Sequence, residues 1–319
     1  MIAGGTRTKD CTMNTAAKLS AYGVVLALVA GGAWAAGTAV GPFAGAAGAA
    51  GEDAGHRNDH SGDSHSGTVA EAAQVKQDHE PAGLASSRGG YTLTPTTTTL
   101  TPGTTRPFTF RILGADGAPV TAYDVEHEKR MHLIVVRRDT AGFRHIHPEL
   151  GEDGTWTVPL AVGEAGVYRV FADFKPSGGE ATTLGADVFA SGDFHPAEYR
   201  PSHSAEVDGY QVRLDGELAP GTASKVTLTV TKDGRDVTDL QPYLGAYGHL
   251  VALRGGDLAY LHVHPDGEPG DGRTAPGPAV TFHAEVPTHG TYRLFLDFRH
   301  EDKVRTAEFT VTTGEGSHR

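Results

Sequence analysis

Cysteine is nearly absent from this 319-residue chain: Cys11 is the one thiol, and it precedes the first hydrophobic run. Everything after that run is therefore without a disulfide, a thiolate zinc site or a Cys-x-x-Cys redox pair. Cys11 also lies on the wrong side of the run to be a lipoprotein acylation site. Methionine occurs only at positions 1, 13 and 131, which excludes a Met-rich copper(I) site, and the missing cysteine excludes a blue-copper centre. Basic residues are scarce: 27 Lys and Arg stand against 39 Asp and Glu, a net charge of -12. A phosphate backbone needs a basic surface, so nucleic acid is excluded as a partner. There is no Gly-x-Ser-x-Gly and no phosphate-cradling Gly-rich loop before a helix. A three-histidine site could activate water, but no general base recurs in a distinct motif. The reading is a non-enzymatic protein.

Charged residues make up 21% and hydrophobic ones 38%, enough for cores of moderate size. The N-terminus reads as a targeting segment. Residues 1–18 carry Arg7, Lys9 and Lys18, and residues 19–41 form an uncharged stretch whose most apolar part, about Ala21–Val40, can cross a bilayer as a helix. Basic residues before it and acidic ones after it place residues 1–18 in the cytoplasm and the remainder outside. The alternative is a cleaved signal peptide, with Ala33-Trp34-Ala35 as the small-residue context. Residues 42–90 are rich in Gly, Ala, Ser, Asp and His. Such a composition buries too little surface to offset its ordering entropy, so a disordered linker is expected. His56, His60, His65 and His79 lie in it, as loose metal ligands or as parts of a soluble spacer.

From Tyr91 short runs of Val, Thr, Phe and Tyr alternate with Gly, Pro and Asp. Phe108–Leu113, Leu133–Val136 and Tyr168–Phe174 are examples. This spacing predicts an all-β fold of immunoglobulin-like sandwiches. The pattern then repeats. Gly117, Val120, Thr121, His132, Leu133, His145, His147 and Pro148 correspond to Gly234, Val237, Thr238, His249, Leu250, His262, His264 and Pro265. Gly166, Tyr168, Arg169, Phe171, Asp173 and Phe174 correspond to Gly290, Tyr292, Arg293, Phe295, Asp297 and Phe298. Two tandem sandwiches are expected, over 91–192 and 209–314, each folding by itself, with a connector at 193–208 and a tail at 315–319.

Turns and cores explain the repeated Gly, Tyr and Phe but do not require repeated histidines. On a strand, His262 and His264 point to one face and Leu261 and Val263 to the other. Gly255-Gly256 is a two-residue hairpin signal. Such a turn sets His249 opposite His262, and a slip of two sets it opposite His264. Either register puts all three histidines on one face, whereas a three-residue loop would place His249 on the other. In the first copy His132 starts one strand while His145 and His147 end the next. The neighbouring strand carries Asp173, or Asp297 in the second copy, as an oxygen ligand. Each set suits Cu²⁺ or Zn²⁺, and the tighter hairpin favours the second. Against this, Ile134 and Val136 share the face of His132, which fits a core histidine without metal. Asp173 has Arg169 as an alternative partner.

Glu126–Val136, Asp239–Val251 and the His-Xaa-His-Pro strands together resemble a family of membrane-anchored secreted proteins of actinobacteria, some of them labelled heavy-metal-binding. The resemblance covers about residues 91–313 and implies an extracytoplasmic β-sandwich protein with a metal role. A looser likeness to cupredoxin-like periplasmic copper carriers is one of fold class alone. The expected function is a membrane-anchored, extracytoplasmic metal-binding or metal-handling protein whose partners are metal ions and the cytoplasmic membrane. The alternative is a cell-surface interaction or adhesion module with structural histidines.

Overall fold

Phe108, Phe110 and Ile112 alternate with Thr109 and Arg111 along one strand, and the three apolar side chains are fully buried. Period-two burial of this kind makes one face of a sheet the lining of a sandwich. The computed structural model describes residues 81–261 and 263–313, all within one compact unit, and contains no helix among them. The expected membrane segment, most of the linker, His262 and the tail at 315–319 lie outside the described residues.

In the first module one sheet orders Ser87–Arg88, Tyr91–Pro95, Arg106–Leu113, Thr155–Leu160 and Glu149–Leu150. The facing sheet orders Thr99–Leu100, Thr182–Ala190, Gly166–Phe174, His132–Arg137 and Arg144–Ile146. Thr99–Leu100 runs parallel to Thr182–Ala190, while the other pairs are antiparallel. The second module repeats the plan. Ser204–Val207, Tyr210–Asp215, Ala223–Lys232, Ala279–Glu285 and Val263–Pro265 form one sheet, with Arg235–Asp236 paired to Ala223–Lys232. Tyr260–Leu261, His249–Arg254, Thr291–His300 and Lys303–Thr312 form the other.

This strand order is immunoglobulin-like, and each module has a tyrosine corner. The hydroxyl of Tyr168 donates to the Glu164 carbonyl at 2.8 Å, and that of Tyr292 donates to the Thr288 carbonyl at 2.6 Å. Val170 and Phe110 lie in the first core, and Leu294 and Leu228 in the second.

Besides one core per module there is a third, between the modules. Ile134, Val136, Phe143 and Phe171 meet Val251, Leu253, Leu258 and Phe295. The packing is pseudo-two-fold: Phe143 stacks on Phe295 with centroids 4.0 Å apart, and the equivalent pair, Tyr260 and Phe171, lies at 5.6 Å. Equivalent faces of a duplicated module are self-complementary in the way of an isologous dimer. The strand His132–Arg137 is apolar on both faces because both are covered, one by its own core and one by the other module.

Two expectations are corrected. Residues 81–90, the end of the expected disordered linker, are ordered. Ala82 bridges to Tyr260 of the second module, Gly83 N–H donates to Thr183 of the first, and Ser87–Arg88 is a strand. Arg169 also bonds the Gly83 carbonyl at 2.7 Å and the Leu84 carbonyl. Main-chain pairing with neighbouring strands, which composition does not register, holds this strap. The Gly255-Gly256 hairpin is also not a two-residue turn. Arg254 N–H donates to the Ala259 carbonyl, so the loop runs from Gly255 to Leu258. Gly255 N–H goes instead to the Thr291 carbonyl of the adjacent strand.

Candidate metal centre

His132 sits at the start of its strand, where Ile134 pairs with His145. Alternation along one strand and direct opposition across the pair set His132 and His145 on the same face, the face turned to the second module. His147 follows where the chain leaves this sheet for Glu149–Leu150 of the other. Each of His132, His145 and His147 offers a ligand atom, and these atoms all lie within 4.8 Å of one another.

The hydrogen bonds fix the tautomers. Nε2 of His132 lies 3.0 Å from the Glu126 carbonyl, and Nδ1 of His145 lies 2.8 Å from Asp297 Oδ2. A carbonyl and a carboxylate oxygen only accept, so these nitrogens carry the protons. The remaining nitrogens, His132 Nδ1 and His145 Nε2, face each other at 3.1 Å. In the neutral rings both hold lone pairs there, and two acceptors do not bond. Nε2 of His147 is likewise buried without a hydrogen-bond partner. Two imidazole lone pairs thus face each other, and a third imidazole with an orphaned nitrogen stands beside them. A tetrahedral ion with bonds of about 2.0–2.1 Å holds its ligand nitrogens about 3.3 Å apart, close to the 3.1 Å between His132 Nδ1 and His145 Nε2.

Protonation is a poor substitute. Burial pushes the His132 imidazolium down to about 4, aided by His145, His127 and Lys129 and opposed by the Glu126 hydrogen bond. Burial, then His145, His132 and Lys129, takes His147 to about 3. His249 is held well below the ordinary histidine range by the same desolvation and by the surrounding histidines. Neutral imidazoles are the form that binds metal.

The other expected ligands are distributed differently. Asp297 pairs with His249 in register, as expected, but its carboxylate is turned to His145 of the other module and to Thr306, at 2.6 Å. Asp173 lies opposite His132 and accepts from Thr183 at 2.9 Å. The expected continuous strand through Leu261 and Pro265 is broken. Tyr260–Leu261 pairs with Ala252 and Leu253, but Val263–Pro265 crosses to the other sheet, where His264 is exposed opposite His283. Val263 packs against the second core from that side, which draws the strand across. The three-histidine group found among the described residues is that of the first module; the second-module set includes His262, which lies outside them. The Glu126 carbonyl and the contribution of both modules to one cluster were not foreseen. The doubly apolar faces of the two central strands were the signal.

No curated protein matches the chain. Among solved structures, the Escherichia coli adhesin FdeC aligns at 19% identity over 74% of this chain and 66% of its own, with a TM-score of 0.23. A chimeric titin Z1Z2 tandem aligns at 12% identity over 70% of this chain and 97% of its own, with a TM-score of 0.18. Invasin, a bacterial integrin-binding protein, aligns at 12% identity over 69% of this chain and 38% of its own, with a TM-score of 0.20. The chain thus spans less than two thirds of the adhesin, and TM-scores of this size carry no argument about function. Residues 85–191 and 205–315 each match the family described as a domain of unknown function, DUF8832, and the chain belongs to that family, carrying its domain twice.

Proposed function

We propose that this protein binds a divalent transition metal, Cu²⁺ or Zn²⁺, through His132, His145 and His147, and that it does so without catalysing a reaction, on the outer side of the membrane to which residues 19–41 attach it. Two lone-pair nitrogens facing each other, with a third orphaned imidazole nitrogen beside them, carry the metal reading. Each unsatisfied nitrogen costs free energy without a cation, and a single ion satisfies all three. The position outside the membrane is supported by the charge order around the N-terminal apolar run. Imidazole ligands suit both metals, and the general divalent order favours Cu²⁺. The test is elemental analysis of the full chain, purified without a His tag and loaded with Cu²⁺ or Zn²⁺, beside His145→Ala plus His147→Ala. One ion per wild-type chain and none in the variant is the expected result. Equal metal in both would sink it.

One observation favours a second reading. His132 and His145 each already have an oxygen partner, and a single proton held between Nδ1 and Nε2 would complete the pair. The histidines would then be structural, and the tandem sandwich would act as a cell-surface interaction module. That reading expects no stoichiometric metal in the same assay.

A further inference from the structure

We infer that the metal site spans the two modules: His249 of the second module supplies a fourth nitrogen to the ion held by the first, so that a divalent cation clamps the modules together. The inference rests on the metal-binding reading above and extends it. Nδ1 of His249 is buried without a hydrogen-bond partner, as Nε2 of His147 is, and the two orphaned nitrogens come from opposite modules. The His249 ring stacks on His132 with planes 7° apart and centroids at 5.8 Å, and its centroid is 4.7 Å from that of His145. Asp297, on the strand beside His249, already reaches across to hold the His145 tautomer. A carboxylate behind a ligating imidazole fixes ring orientation and raises its basicity. The second module thus already positions one ligand through Asp297, and His249 packs against His132 and His145 with an orphaned nitrogen, beside the three ligand atoms that lie within 4.8 Å of one another. Four nitrogens complete a closed tetrahedral or tetragonal set of the kind that binds rather than catalyses.

The consequence is linkage between metal and docking. An ion that needs groups from both modules binds only the docked arrangement. It therefore shifts the docked-to-undocked ratio by about a hundredfold when free metal is a hundred times its dissociation constant. The apolar interface gives a docked ground state, and the ion locks it.

The experiment uses the full chain as wild type, His249→Ala and His249→Gln, the last keeping a polar side chain of similar reach in the packed site. Zn²⁺ affinity is measured by competition titration. Docking is followed by amide hydrogen exchange at residues 138–143 and 257–260, the loops that carry Phe143 and Leu258 to the interface. Saturating Zn²⁺ is expected to slow exchange there about tenfold or more in wild type and to leave it unchanged in both variants, whose affinity falls at least tenfold. Far-UV circular dichroism confirms that the variants fold. Electron paramagnetic resonance of Cu²⁺-loaded wild type needs no variant: four coordinated imidazole nitrogens support the inference, and three overturn it. Wild type that binds Zn²⁺, with variants that bind within twofold and show the same slowing, confines the site to the first module and leaves the metal reading standing. Wild type that binds no ion removes that reading itself.

Discussion

His132 and His249 hold the same place in the two copies of the repeat, and their imidazoles lie face to face with planes 7° apart. Residues that correspond in sequence can stack on each other only near the axis that relates the copies. The histidine cluster therefore lies on the pseudo-two-fold axis. His249 and Asp297 of the second copy join the histidines of the first there, while His264 lies on another sheet.

Metal-free protein should lose stability as pH falls. His132 and His147 titrate at about 4 and about 3 in the folded state, against about 6.5 in an unfolded chain. Their folded values are depressed, so the unfolded state takes up protons first. Stability is full above about 6.5 and declines through 4 toward 3. The shift on His132 alone corresponds to roughly 3 kcal/mol. Denaturant unfolding at pH 7.5, 5.5 and 4.5 in the presence of a chelator checks this, and a flat profile would contradict the buried neutral imidazoles.

Asp297→Asn keeps the shape of the side chain but removes the carboxylate that holds the His145 N–H. Loss of such an outer partner typically costs 10–100-fold in metal affinity. The expected result is a weaker but still stoichiometric Cu²⁺ titration with one site. Unchanged affinity would show that the contact does not orient a ligand.

Phe143→Ala and Phe295→Ala each remove one ring of the closest aromatic pair in the inter-module core. Truncating a buried phenylalanine costs about 3–5 kcal/mol. Because the lost contacts lie between modules, each of which keeps its own core, the single calorimetric transition expected of wild type should split into two. A single transition displaced to lower temperature would mean that neither module is stable without the other.

Gly83→Ala should release the strap at residues 81–85. The backbone there has φ +74, and an added Cβ would lie 2.5 Å from the Phe171 ring. Strain and clash together should cost about 1–3 kcal/mol locally. Faster hydrogen exchange at Gly83 and Tyr260, with the sandwich amides unchanged, is the expected signature. Slower or equal exchange would show that the strap adapts.

The sequence by itself determined the β-sandwich class, the duplication and the identity of the clustered histidines. These follow from local physics: period-two burial, punctuation by Gly and Pro, and spacing repeated within one chain. It also put His145 on the face of His132, because that needs only strand alternation and an odd register. Only the tertiary structure decided that the faces bearing these histidines turn toward each other. His132–Val136 is apolar on both sides, and the chain alone does not say whether the second side meets solvent, membrane or another module. The same step moved Asp297 from its own module's histidine to His145, and the strand crossing at Val263 carried His264 to a different sheet. The first of these outcomes depends on packing between residues 152 positions apart, on surfaces that exist only after each module has folded, and the second on a pairing of Val263–Pro265 with Ala279–Glu285 inside the second module.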